Sequence, residues 1–144
     1  EVLTEAEMAK VSLHSVLGAE MLSDVLTPEQ ASWVRAHHER WDGRGYPDGL
    51  KAEAIPLGAR IVAIADAFDA IFRGRLYRPA RSLDESVHEL RRHAGSQFDP
   101  GLVPLFIDEI DRVESGVPPS VELPAVAQLP VAIPIRPASF LVRP

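Results

Sequence analysis

His37-His38-Glu39-Arg40-Trp41-Asp42-Gly43-Arg44-Gly45-Tyr46-Pro47-Asp48-Gly49-Leu50 sets two adjacent histidines against a glycine-punctuated loop that ends in Tyr-Pro. As structure alone it is a connection between two helices, of ordinary length for a helical domain. Glycine permits positive φ at the bends, and Tyr46-Pro47 is expected to set an extended step. Tyr46 adds an aromatic face and a hydroxyl. The histidines suit metal chemistry and the loop suits a substrate, so the stretch reads as a site held between helices.

Outward from it, helix starts are legible in capping chemistry. A side-chain oxygen satisfies an orphan amide of the first turn, and a Glu or Gln three residues later reaches back. Thr4 with Glu7, Thr27 with Gln30 and Ser82 with Glu85 fit this box. Pro28 follows Thr27 at a position where a missing N–H costs nothing, and Asp99-Pro100 repeats the logic before Leu102, Phe106, Ile110 and Val113. A fifth helix is expected from about Pro56 to about Phe72, with Ile61, Ile64, Ala65 and Phe68 as its burying stripe. Gly95 and Gly116-Val117-Pro118-Pro119 read as helix stops. Beyond them proline recurs at 118, 119, 124, 130, 134, 137 and 144, which blocks helix and ladder alike. That segment reads as a disordered tail, or as a docking segment for a partner, since Val131, Ile133, Ile135, Phe140 and Leu141 are apolar for a linker.

The 144 residues suffice for one modest core, and 46% hydrophobic with 25% charged residues is ordinary for a globular domain. A net charge of −6 argues against a partner as long and anionic as a nucleic acid, although a local arginine cluster could hold one phosphorylated ligand. There is no cysteine, so any metal must be held by histidine and carboxylate. No secretory leader pattern and no membrane-length apolar run is present, and a cytoplasmic location is expected.

Individual residues leave alternatives open. His14 shares a helical face with Val11, Leu17 and Met21, which fits a core histidine as well as a ligand. His37 and His38, read as neighbours on a helix, point about a quarter-turn apart; they would serve two adjacent ions rather than chelate one, or would simply meet the helix dipole. Asp66 lies in an apolar helix where a buried carboxylate needs compensation, for instance by a metal. Asp69 is read as support for that site or as a partner for Arg73 at i+4. His88 and His93 lie on a charge-rich helix whose solvated face accounts for both.

The histidine–glycine stretch, together with Ile55-Pro56-Leu57-Gly58-Ala59-Arg60-Ile61 and Ala65-Asp66-Ala67-Phe68-Asp69-Ala70, resembles the signature of the HD-GYP family of metal-dependent cyclic di-GMP phosphodiesterases. His14-Ser15-Val16-Leu17-Gly18-Ala19-Glu20 is similar to a further segment, with Ser15 in place of the usual proline. The resemblance, from Leu3 through Ile107, implies an all-α helical bundle of the HD-domain type with about five helices. Residues 1–116 would form a partial HD-GYP domain and 117–144 the Pro-rich tail. It implies His14, His37, His38 and Asp66 as ligands to divalent ions, Fe or Mn, two or more in a complete domain. Tyr46, Arg75 and Arg78 would meet the cyclic dinucleotide, and the Tyr-Pro loop could also meet a protein partner.

Two departures qualify the implied chemistry. No His-Asp dipeptide occurs, so the bridging carboxylate of a paired-metal centre is missing and the chain alone is expected to be inactive. Ile71-Phe72-Arg73-Gly74 replaces a Leu-Thr-Ser-Asp-like stretch and sets Phe72 near the expected ligand channel. The resemblance therefore supports a metal-dependent phosphodiesterase for the parent domain, with a non-catalytic binding or interaction module as the alternative.

Overall fold

A computed structural model describes residues 4–74 and 79–117; Arg75, Arg78 and the Pro-rich segment from Pro118 onward lie outside the described residues. Within them the chain is five helices: α1 (Glu5–Met21), α2 (Pro28–Ala36), α3 (Leu57–Phe72), α4 (Leu83–His93) and α5 (Leu102–Glu114), with a 3-10 turn at Ala52–Ala54. All five expected helices form, and among the described residues no strand does. No described helix is long and apolar enough to cross a membrane.

The caps explain where the helices begin. Glu7, Gln30 and Glu85 each accept the backbone N–H of the capping residue, at 2.9, 3.0 and 2.9 Å, while Thr4, Thr27 and Ser82 accept in return. Removing one such cap typically costs ~1 kcal/mol. Asp99 does the equivalent for α5 by accepting the Gly101 amide at 2.8 Å, and the regular helix starts at Leu102.

α1 packs on α2, α2 on α3, and α3 on both α4 and α5, so α3 is the spine. The main core is Ile64, Leu90, Phe98, Val103 and Ile107, with Phe68 and Phe106 packed edge-to-face against its rim. A second, smaller core of Ala36, Ile55 and Ala59 lies under the loop between α2 and α3, roofed by Trp33 and Leu50. Small residues let the backbones close in there: a Cβ on Gly58 would stand 2.2 Å from the Trp33 ring.

The expected apolar stripes are only partly buried. On α3, Ile64 is buried and Phe68 half-buried, whereas Ile61 and Ala65 are exposed. On α1, Val11, Leu17 and Met21 are exposed at 40, 51 and 82%, so the face shared with His14 is not core among the described residues. Packing of α1 uses another side, where Ser15 and Ala19 are buried and Gly18 approaches Val34.

Candidate metal and substrate site

α2 stops at Ala36, and this stop decides the geometry. His37 is the C-cap, still with right-handed helical backbone angles, and His38 follows in the turn, so the pair sits at the helix end and not inside it. The two rings lie side by side with centroids 4.0 Å apart and face His14 from α1, at 5.6 and 4.9 Å. Ligand atoms of all three imidazoles fall within 4.8 Å of one another, the one such group of histidines and carboxylates among the described residues. The three rings are therefore close enough to face one ion, an arrangement that the helical spacing of His37 and His38 made difficult to expect.

The backbone fixes which nitrogen is available. The Nδ1–H of His37 donates to the Val34 carbonyl at 2.6 Å, and that of His14 donates to the Val11 carbonyl, leaving both Nε2 lone pairs directed away from their helices. Nε2 of His14 and Nε2 of His38 are 3.1 Å apart. Two nitrogens bound to one ion at about 2.0–2.1 Å stand about 2.8–3.4 Å apart for bond angles between square and tetrahedral. This spacing fits a shared divalent ion, and a nitrogen-only set suits a transition-series metal better than magnesium or calcium.

Asp66 departs from expectation. It is exposed on α3, so no burial penalty has to be compensated, and it is outside the 4.8 Å imidazole group. It does line the same cavity, of about 710 Å³, as His37, His38 and Tyr46. Asp69 pairs with Arg73 at 2.6 Å, the second of its two expected roles. Phe72 stacks on Phe68 at 5.5 Å and lines a separate apolar groove with Leu83 and Phe106; it is Ile71 that reaches the main cavity. His93, read from sequence as surface, also lines that cavity, one turn from its partner Glu89.

Tyr46 is carried into the site by a tightly pinned loop. Its amide donates to the His38 carbonyl at 3.3 Å, and its ring rests 4.9 Å from that of His38. The Tyr46–Pro47 peptide is cis and lies in a bend of the loop. Gly43 and Gly49 take positive φ, as expected of the bends, but Gly45 serves close approach: a Cβ there would lie 2.4 Å from the Arg40 nitrogen and 2.6 Å from the His38 oxygen. Burial, and then the nearby Asp66 charge, raise the Tyr46 hydroxyl above its ordinary pKa, so it remains a hydrogen-bond donor at neutral pH.

Several residues that hold this loop carry no sequence signal of their own. Glu39 is 3% exposed and accepts the Asp48 amide at 2.7 Å across the loop. Arg35 grips the Asp48 carboxylate with two bonds of 2.7 and 2.8 Å. Trp41 and Asp42 donate their amides to the Gln97 and Ser96 carbonyls, tying the loop to the end of α4. Arg40 pairs with Asp42 at 2.8 Å and holds that carboxyl down to about 2. Beneath, Arg60 meets the buried Asp99 at 2.8 Å and lies over the Trp41 ring. Only Glu39, inside the His-His-Glu run, could have been suspected; the others need the tertiary fold.

The HD-domain family profile matches residues 1–102, most of the chain. With its motif and relatives, this means that the chain belongs to the HD-domain family and, within it, to the HD-GYP group. It is 46% identical over 104 residues to the cyclic di-GMP phosphodiesterase response regulator RpfG of Xanthomonas campestris pv. campestris, covering 70% of this chain and 28% of the relative. It is 38% identical to a cyclic di-GMP phosphodiesterase of Thermotoga maritima, covering 74% of this chain and 30% of the relative. Among solved structures, the cyclic GMP-AMP specific phosphodiesterase V-cGAP3 of Vibrio cholerae superposes with a TM-score of 0.63 at 28% identity, covering 74% of this chain and 25% of the other. The chain thus spans less than a third of the length of each of these proteins.

Proposed function

We propose that this chain is the portion of a cyclic di-GMP phosphodiesterase domain that supplies a three-imidazole ion site and the substrate-facing loop. The observation that carries the proposal is the 3.1 Å approach of two Nε2 atoms, with the Nδ1 of His14 and of His37 tied to carbonyls, at a cavity that also takes in Tyr46. His14, His37 and His38 would hold a divalent Fe or Mn ion, and Asp66 on the cavity wall would approach the same ion through water or substrate. Such an ion, when bound, polarises a phosphoryl oxygen and brings the pKa of bound water toward neutrality.

The chain's own residues then have separable tasks. The carbonyl bonds to Nδ1 keep the His14 and His37 rings in one tautomer and orientation, so their donor atoms need no reorganisation on binding. The Tyr46 hydroxyl, held protonated, can donate to a phosphate or ribose oxygen, and its ring offers a face to a base. Arg75 and Arg78 would add planar forks for phosphate.

Phosphodiester hydrolysis of this kind uses paired metals about 3.5–4 Å apart. The described residues gather donors for one ion, with no carboxylate in the group to bridge to another. The 144-residue chain with Mn(II) should therefore bind cyclic di-GMP more tightly than without metal but show no multiple turnovers by chromatography. Absence of metal-enhanced binding would overturn the substrate reading. Turnover abolished by His38→Ala would instead mean that a bridging donor is present in this chain.

A further inference from the structure

The cavity has a second chemical end, on the wall formed by α4 and the turn after it. Glu89, His93 and Gln97 line the same space as His37, His38 and Tyr46. The two walls are joined by backbone, since Trp41 and Asp42 donate to the Gln97 and Ser96 carbonyls at 3.1 and 2.9 Å. A ligand that reaches both is therefore held between elements whose separation is set by hydrogen bonds rather than by side-chain rotamers.

The donor and acceptor pattern of this end is specific. Glu89 Oε1 accepts from His93 Nε2 at 3.1 Å and Oε2 accepts from Arg81 Nη1 at 3.4 Å. The His93 bond, with the neighbouring arginines, keeps the carboxyl below its usual range, so it is ionised and accepts only. A carboxylate has about four lone-pair sites, and these two bonds leave one on each oxygen, with Arg92 Nη1 standing 4.0 Å from Oε1, beyond hydrogen-bond reach. Its side chain is 25% exposed, open enough to meet a ligand yet partly shielded from water. The Gln97 side-chain oxygen accepts from Arg40 Nη1 at 3.3 Å, which leaves its NH2 group as the donor it can offer a ligand.

Guanine presents two adjacent donors, N1–H and N2–H2, beside the O6 acceptor. Adenine presents one donor, N6–H2, next to the N1 lone pair. An ionised carboxylate flanked by an amide donor complements the first edge and repels the second. We propose that Glu89, oriented by His93 and assisted by Gln97, is a guanine-selective base subsite for the cyclic dinucleotide whose phosphate faces the three imidazoles. This rests on the cyclic di-GMP reading above and adds to it which residues of this chain read the base.

Equilibrium binding of cyclic di-GMP, cyclic di-IMP and cyclic di-AMP to the 144-residue chain with Mn(II) tests it. Inosine keeps N1–H but lacks the N2 amine, so the affinities should fall in that order, about tenfold or more for each donor lost to a charged acceptor. Glu89→Gln should narrow the guanine preference or turn it toward adenine, because an amide can pair with adenine's donor and acceptor together. Should Glu89→Gln lose its helical circular dichroism, Gln97→Leu is the second probe, expected to lower cyclic di-GMP affinity several-fold and leave cyclic di-AMP unchanged. A guanine-to-adenine ratio that folded Glu89→Gln leaves intact, or equal wild-type affinities for all three ligands, would overturn the base subsite while sparing the dinucleotide reading. No binding of any of the three in the presence of Mn(II) would instead sink that reading and the subsite with it.

Discussion

The half of the molecule built from α3, α4 and α5 and the half built from α1, α2 and the Tyr-Pro loop are stabilised by different physics. The first buries branched and aromatic side chains, Ile64, Leu90, Phe98, Val103 and Ile107, in one cluster. The second buries Ala36 and Ile55 against Ala59 at the start of α3, and holds its loop by the Glu39, Arg35–Asp48 and Arg40–Asp42 contacts and by the close approach of Gly45. Apolar burial is strong but non-directional, whereas hydrogen bonds fix the orientation of the groups they join. The histidines and Tyr46 lie in the half where position is defined most narrowly, and the other half provides the mass that keeps the fold together.

If that division is right, Leu90→Ala should have the largest effect on stability and little on the site. Leu90 is wholly buried, and the truncation should cost about 2–5 kcal/mol in urea unfolding. At temperatures where the variant stays folded, its Mn(II) affinity should match the wild type; a parallel loss of metal would show that the halves are not separable.

Gly45→Ala is the converse test. The added methyl meets backbone atoms of residues 38 to 40, which cannot swing aside as a side chain tip can. A destabilisation of about 1–3 kcal/mol is expected, with a disproportionate loss of metal and ligand affinity because the same backbone carries His38. Unchanged metal affinity would remove the loop from the account of the site.

The smallest effect concerns acid. Asp42 has a folded-state pKa of about 2, against an ordinary carboxylate near 3.8, chiefly because Arg40 donates to it. A depressed pKa contributes stability that is complete above the unfolded value and disappears as pH falls through the folded one. The stability difference between wild type and Asp42→Asn should therefore be constant above about pH 5, shrink below about pH 4 and vanish near pH 2. A difference that grew on acidification would mean the Arg40 pairing does not stabilise the loop.

The fold was largely legible because capping is local: Thr4, Thr27 and Ser82 announce their helices within four residues, and all three boxes form. Burial was less legible. Asp66, Ile61 and Val11 have neighbours of the right spacing, but spacing does not say which face another element covers. The convergence of His37 and His38 on His14 was not legible, since it depends on how α1 packs on α2 at the end of that helix, which spacing along the chain does not report. Glu89 and His93 were passed over because their charged helix looks solvated until the turn at Ser96 and Gln97 brings its end against the loop.

Titration of the 144-residue chain with Co(II), followed by its visible absorption, tests the three-imidazole site most directly, because nitrogen ligation of low coordination number gives intense bands that hydrated cobalt lacks. One equivalent should saturate the signal. His14→Ala and His38→Ala should each weaken binding at least tenfold, while His93→Ala leaves it unchanged. Binding that survives the double variant His14→Ala and His38→Ala, or no low-coordinate spectrum at any cobalt concentration, would contradict the proposal that these imidazoles close on one ion.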